Sequence, residues 1–136
     1  MRKFGPAAAL AMAVCLVGAA VFAAQTKTSG KVPDSVKRGQ ALYAAHCVSC
    51  HGQTGEGDGP AASSLKVPPT NLTKISQRYK GFPVAKMADF ISGEKYAVGH
   101  GSREMPVWGK KFSASPGGAA AEIDALTKYL ESIQRK

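Results

Sequence analysis

The sequence predicts an all-α protein of about four helices with long loops around one large bound group, and three observations carry that reading. Apolar positions recur at helical spacing in separate stretches: Val36, Gly39, Leu42 and Tyr43; Val84, Met87, Phe90 and Ile91; and Ile123, Leu126, Tyr129, Leu130 and Ile133. The two-residue alternation of a half-buried strand is absent throughout. Glycine- and proline-rich breaks separate the helical stretches and take up much of the chain, a poor design for a small helical protein unless something large fills its centre. The third observation is the run Cys47-Val48-Ser49-Cys50-His51, because C-x-x-C-H is the attachment pattern of a c-type haem. Thiols at this spacing can add to the two vinyl groups of one haem, and the adjacent imidazole then lies under the iron as its proximal ligand. The rival readings are half a zinc site and a redox dithiol. Zinc wants a second ligand pair at comparable spacing, and the other cysteine, Cys15, lies far off in an apolar leader. A redox C-x-x-C wants a βαβ context, which the helical pattern denies.

Taken in order, the chain opens with the basic run Met1-Arg2-Lys3, followed by an uncharged stretch from Phe4 to Ala24 that ends in small residues. Residues 1–24 are therefore expected to be a signal peptide. The alternative is an uncleaved anchor, since the run is about as long as the ~20 residues a membrane span needs. Residues 25–32 are polar and read as a flexible linker. The domain proper is expected over 33–136. Its first helix opens at Pro33-Asp34-Ser35, with Asp34 or Ser35 as cap, and delivers Cys47 at its end.

Gly52, Gly55, Gly57 and Gly59 crowd the next nine residues, which predicts a loop whose backbone approaches its neighbours closely. A proximal histidine usually gives its second ring N–H to a carbonyl or carboxylate, and this loop is a candidate source. Thr70 or Asn71 can cap a short helix reaching about Tyr79. Pro83 suits the first turn of another helix that stops at Gly93. Gly99 to Gly109 reads as irregular, and Ser115-Pro116-Gly117-Gly118 introduces the last helix.

The charge is strongly positive: 18 Lys and Arg against 9 Asp and Glu, net +9. A leader would remove only Arg2 and Lys3, and haem propionates would offset roughly two further charges, so the surface stays basic. That favours redox partners with acidic contact surfaces, or an anionic bilayer if the leader is retained. Nucleic acid is not expected as the partner of an exported haem protein. Export itself fits, because Cys47 and Cys50 are both consumed by the haem and a covalent apolar plate can stand in for disulfide staples.

From Pro33 to the C-terminus these features resemble the class I, monohaem c-type cytochromes, in particular the small bacterial periplasmic ones. The resemblance implies the cytochrome c fold with one covalent haem c on Cys47 and Cys50, and iron held by His51 and Met105. It implies that Gly39 and Tyr43, eight and four residues before Cys47, pack on the last helix at Leu126 and Tyr129. It makes Pro60 the candidate carbonyl for His51. Trp108 becomes a candidate propionate contact, although the family's tryptophan usually precedes the methionine, and Arg78 and Tyr79 are further candidates by spacing.

Four side chains are candidates for the sixth position: Met87, Met105, His46 and His100. Met87 falls on a helix face, where methionine is commonly core filler. Met105 is followed by Pro106 in an irregular stretch that lets a thioether point inward, and is the expected ligand; His100 or an exchangeable site is the alternative. His46 is expected at the surface or the haem edge. Two strong axial ligands leave no coordination position for substrate, and a thioether favours ferrous iron. The expected function is therefore a periplasmic single-electron carrier between a donor and an acceptor redox protein, with no enzyme activity of its own. The alternatives are a haem enzyme or ligand sensor with a displaceable Met105, and a cytochrome subunit of a larger oxidase or dehydrogenase.

Overall fold

The computed structural model describes residues 32–93 and 105–136. The expected signal peptide, all but the last residue of the expected linker, and His100 lie outside the described residues. Within them the fold is helical without strands: α1 (Asp34–His46), α2 (Val48–His51), α3 (Ile75–Tyr79), α4 (Val84–Ser92), α5 (Trp108–Phe112) and α6 (Gly118–Ser132), with 3-10 turns at Ala62–Ser64 and Leu72–Lys74. None of these helices is long and apolar enough to cross a membrane.

The frame is the pair α1 and α6, which meet over much of their length. Gly39 makes the crossing close: a Cβ there would lie 2.6 Å from the Ala125 carbonyl carbon and 2.7 Å from Tyr129 Cβ. One turn on, the Tyr43 and Tyr129 rings lie 5.2 Å apart between centroids. The expected contact at Tyr129 is present. The backbone that actually touches Gly39 belongs to Ala125, while Leu126 sits deeper, 2% exposed, in the core with Tyr43, Ile91, Trp108, Phe112, Ile123 and Leu130. Burying a side chain such as Leu126 contributes roughly 1.5–3 kcal/mol.

A polar contact locks the same helix pair. Glu122, 1% exposed, receives hydrogen bonds from Arg38 Nε at 2.8 Å and from Arg38 Nη2 on its two carboxylate oxygens. The fork-to-fork match of guanidinium and carboxylate gives direction as well as attraction, so it fixes the rotation of α6 against α1. Glu122 is also the reason Arg38 holds its proton even more firmly than usual.

Helix ends follow local chemistry. The Asn71 side chain accepts from Thr73 N at 3.0 Å, capping the 72–79 segment as expected. α4 follows Pro83 and stops where Gly93 adopts the left-handed conformation. Two expectations are corrected. Pro33, not Asp34 or Ser35, occupies the cap position of α1. Its extended backbone sets its carbonyl to accept from Val36 N and Lys37 N at 3.0 and 3.1 Å, and Asp34 instead joins the first turn, 3.3 Å from Lys37 Nζ. The stretch read as irregular up to Gly109 contains the start of α5, whose buried Trp108 and Phe112 rings stack at 5.4 Å and pin one short turn to the core.

Candidate haem site

Chain geometry brings the motif together before any cofactor is considered. Cys47 N donates to Tyr43 O at 2.8 Å and closes α1; His51 N then donates to Cys47 O at 2.9 Å in the single turn of α2. Positions three and four apart share one face of a helical turn, so Cys47, Cys50 and His51 point the same way. The glycine-rich loop folds back over this turn. Ala61 N donates to Ser49 O at 2.8 Å, Gly59 N to Cys50 O at 3.2 Å, and Gly57 N to His51 O at 2.9 Å. The carbonyls that a helix end leaves unpaired are thus satisfied by the loop. Gly59 can approach only because it lacks a side chain, since a Cβ would stand 2.6 Å from Val48 O. Beneath, the buried Tyr43 hydroxyl donates to Gly52 O at 2.7 Å; burial, with smaller contributions from Cys47, Tyr129 and Asp58, holds that phenol above its usual range.

The motif faces a pocket of about 390 Å³, within the roughly 300–1,000 Å³ of small-molecule sites. Cys47, Cys50 and His51 line it together with Met87, Met105 and Trp108, and apolar side chains of α3, α4 and α6 complete its walls. This donor set suits a haem: two thiols one turn apart, an imidazole beside them, two thioethers, and apolar surface for the macrocycle. Burial, and secondarily Cys50, push the Cys47 thiol up to about 11, which makes it a poor thiolate for disulfide exchange. Among the described residues no three or more His, Cys, Asp or Glu are arranged to hold a metal ion between them, so the zinc reading has no second ligand pair there.

The surroundings of His51 prepare it as a ligand. Burial lowers its pKa, against the opposing effect of the Thr70 carbonyl, and so favours the neutral imidazole that a metal needs. Its Nδ1 lies 3.4 Å from Thr70 O. A carbonyl only accepts, so Nδ1 carries the proton and Nε2 keeps its lone pair. Here the structure corrects the expectation for Pro60. The acceptor is Thr70, nineteen residues past the histidine; Pro60 is exposed and outside the pocket lining, because the neighbouring loop amides are engaged on the carbonyls of α2.

Met105 and Met87 both line the pocket, Met87 from within α4 at 8% exposure and Met105 three residues before α5. Trp108, 7% exposed, is a wall of the pocket, its ring tilted against His46 at 5.2 Å and under Lys111 Nζ at 5.1 Å. His46 is exposed at the rim, as expected. Arg78 and Tyr79 also line the pocket, and the Arg78 guanidinium donates to Asn71 O. The Arg38–Glu122 pair and the role of Thr70 had no sequence signal, since a mid-helix glutamate reads as solvated and every residue has a carbonyl.

Comparison with known proteins agrees with this geometry. A family model described as Cytochrome c matches residues 36–134. A curated protein, "Cbb3-type cytochrome c oxidase subunit FixP" from Azorhizobium caulinodans, is 30% identical over 108 residues, covering 77% of this chain and 30% of that protein. The chain therefore spans less than a third of the length of that relative. No solved structure matches it.

Proposed function

This chain belongs to the cytochrome c family, and we propose that it is a periplasmic carrier of single electrons between two redox proteins. The family implies haem-based electron transfer and a covalent haem c. The observation that carries the finer reading is the pocket, in which two thiols, a pre-oriented imidazole and two thioethers face apolar walls.

A bound haem supplies a one-electron iron couple. Cys47 and Cys50 would hold it through thioethers, and His51 would take the proximal position with Nε2 free and Nδ1 tied to Thr70. Met105 is the proposed distal ligand, because it precedes α5 in non-helical backbone while Met87 is fixed within α4. With the haem in place, the apolar walls would shield it from water and so favour the less charged ferrous state. Exposed Lys66, Lys80, Lys110 and Lys111 would steer an acidic partner into a small transient interface.

The test is the distal ligand. Met105→Ala should abolish the weak long-wavelength absorption of methionine-ligated ferric haem, lower the potential and admit carbon monoxide. Met87→Leu should leave the spectrum unchanged and cost less than ~1.5 kcal/mol of stability. The reverse pattern reassigns the ligand, and rapid carbon monoxide binding by the wild-type protein refutes the carrier reading.

A second reading is favoured by the similarity to FixP: the chain, or the protein it belongs to, is a cytochrome subunit of a larger oxidase. Isolation from native membranes under mild detergent separates the two, since a subunit stays with the oxidase and a carrier does not.

A further inference from the structure

The wall that carries the Thr70 carbonyl lies just before the 3-10 turn at Leu72–Lys74 and outside any helix. Its main chain is tied from two sides. Leu72 N donates to Gly55 O at 2.7 Å, in the loop after the motif. From the other side comes the chain just past α6. Gln134 Oε1 accepts from Ser76 N at 2.9 Å, and Gln134 Nε2 donates to Leu72 O at 2.8 Å and to Leu130 O at 2.6 Å. Arg135 N donates to Thr73 O at 2.9 Å, Gln77 Nε2 donates to Arg135 O at 3.3 Å, and the Arg135 guanidinium pairs with Glu56 in the glycine-rich loop. One part-buried amide thus uses its acceptor and both donor hydrogens to tie α6 to the segment two residues beyond Thr70.

We propose that Gln134 is a positioning residue for the haem site: through Leu72 and Ser76 it sets the Thr70 carbonyl against His51 Nδ1, and so tunes the electron-donating strength of the proximal imidazole. Two features make this coupling effective. The Nδ1 to Thr70 O distance of 3.4 Å is already at the outer limit of a hydrogen bond, where attraction falls steeply with small displacements. An acceptor on the second ring nitrogen makes the ligand more basic, and a more basic imidazole favours ferric iron. Releasing the wall should therefore raise the reduction potential. The C-terminal residues, far along the chain from the motif, act on the iron through the backbone of 70–76. The proposal rests on His51 being the iron ligand, as proposed above.

Gln134→Met keeps the length of the side chain and removes all three hydrogen bonds. In the haem-bearing protein it should raise the midpoint potential and speed solvent exchange of the His51 Nδ1 proton, seen by NMR, by up to about tenfold, the net worth of one lost hydrogen bond. Thr127→Val is the control. Thr127 is buried in α6, where its hydroxyl donates to Ile123 O at 2.7 Å, so its loss loosens the helix without touching the wall. It should lower stability and leave both readouts unchanged. If Gln134→Met does not retain haem, Gln134→Asn takes its place, since it stays a neutral amide but is too short to reach Ser76 and Leu72 together; it should move both readouts in the same direction. A potential that ignores Gln134, or that moves equally in Thr127→Val, overturns the proposal. A wild-type protein that carries no covalent haem overturns the functional reading instead.

Discussion

Replacing Gly39 by valine tests the helix crossing on which the motif is mounted. The new Cβ would stand 2.6 Å from the Ala125 carbonyl carbon and 2.7 Å from Tyr129 Cβ, whereas carbon atoms pack at about 3.5–4.0 Å. Neither neighbour can rotate away: one is backbone and the other is fixed by it. The helices must part locally by about 1 Å, which opens the core around Leu126 and Tyr43 and displaces Arg38 from Glu122. Overpacking of a core typically costs ~1–3 kcal/mol, and with backbone as the obstacle the upper half of that range applies. Better helix propensity returns only a few tenths of a kcal/mol for valine over glycine. A loss of about 2–3 kcal/mol lowers the melting temperature of a domain this size by roughly 10–20 °C. The assay is thermal and urea unfolding of the purified haem-bearing protein followed by far-ultraviolet circular dichroism. Gln40→Val, one residue on and exposed, is the control for propensity and should lose no more than ~0.5 kcal/mol. Equal midpoints for Gly39→Val and the wild-type protein, or equal losses in the two variants, would refute the close crossing.

Two further outcomes follow from the same frame. Burial raises the phenol pKa of both Tyr43 and Tyr129 above the ordinary value, so the unfolded chain releases these protons first. The stability they support is complete below pH ~10 and is lost as the pH rises further; the urea midpoint should therefore begin to fall at about pH 10 and continue to fall above it, and fall less in Tyr43→Phe, whereas identical pH dependence in both proteins contradicts the assignment. Arg38→Ala strands the buried Glu122 carboxylate and should lower the urea midpoint more than Lys128→Ala, which breaks only the exposed pair with Asp124 at 2.7 Å. Adding Glu122→Gln to Arg38→Ala should recover part of the loss, because a neutral amide is cheaper to bury than an unpaired charge; a further drop would show that the pair matters for shape and not for charge.

What the sequence made legible was what punctuation and periodicity encode. α4 could be bounded because Pro83 and Gly93 mark its ends, the 72–79 segment because Asn71 is a good cap, and the crossing of α1 with α6 because Gly39 and Tyr43 stand before Cys47 where the c-type cytochromes that the chain resembles have a glycine and an aromatic residue. The haem motif was legible because its chemistry needs specific side chains at fixed spacing. The misses have physical reasons too. α5 is too short to show a period, and its single turn is held against the core by the buried Trp108 and Phe112 rings. The acceptor for His51 was misassigned to Pro60 because backbone carbonyls carry no residue signature, and only the folded path of the chain brings Thr70 to the ring. Gln134 lies two residues past the end of α6, where sequence alone reads a fraying terminus, yet its amide joins α6 to the wall of the pocket.

Covalent attachment is tested most directly by the mass of the pigmented protein before and after acid–acetone extraction. With Cys47 and Cys50 both bonded to the group in the pocket, the polypeptide should carry the mass of one haem and keep it, with its colour, through extraction. Single Cys47→Ala or Cys50→Ala proteins should attach it incompletely. A wild-type protein that returns the mass of the bare polypeptide and leaves its pigment in the solvent would contradict the central claim.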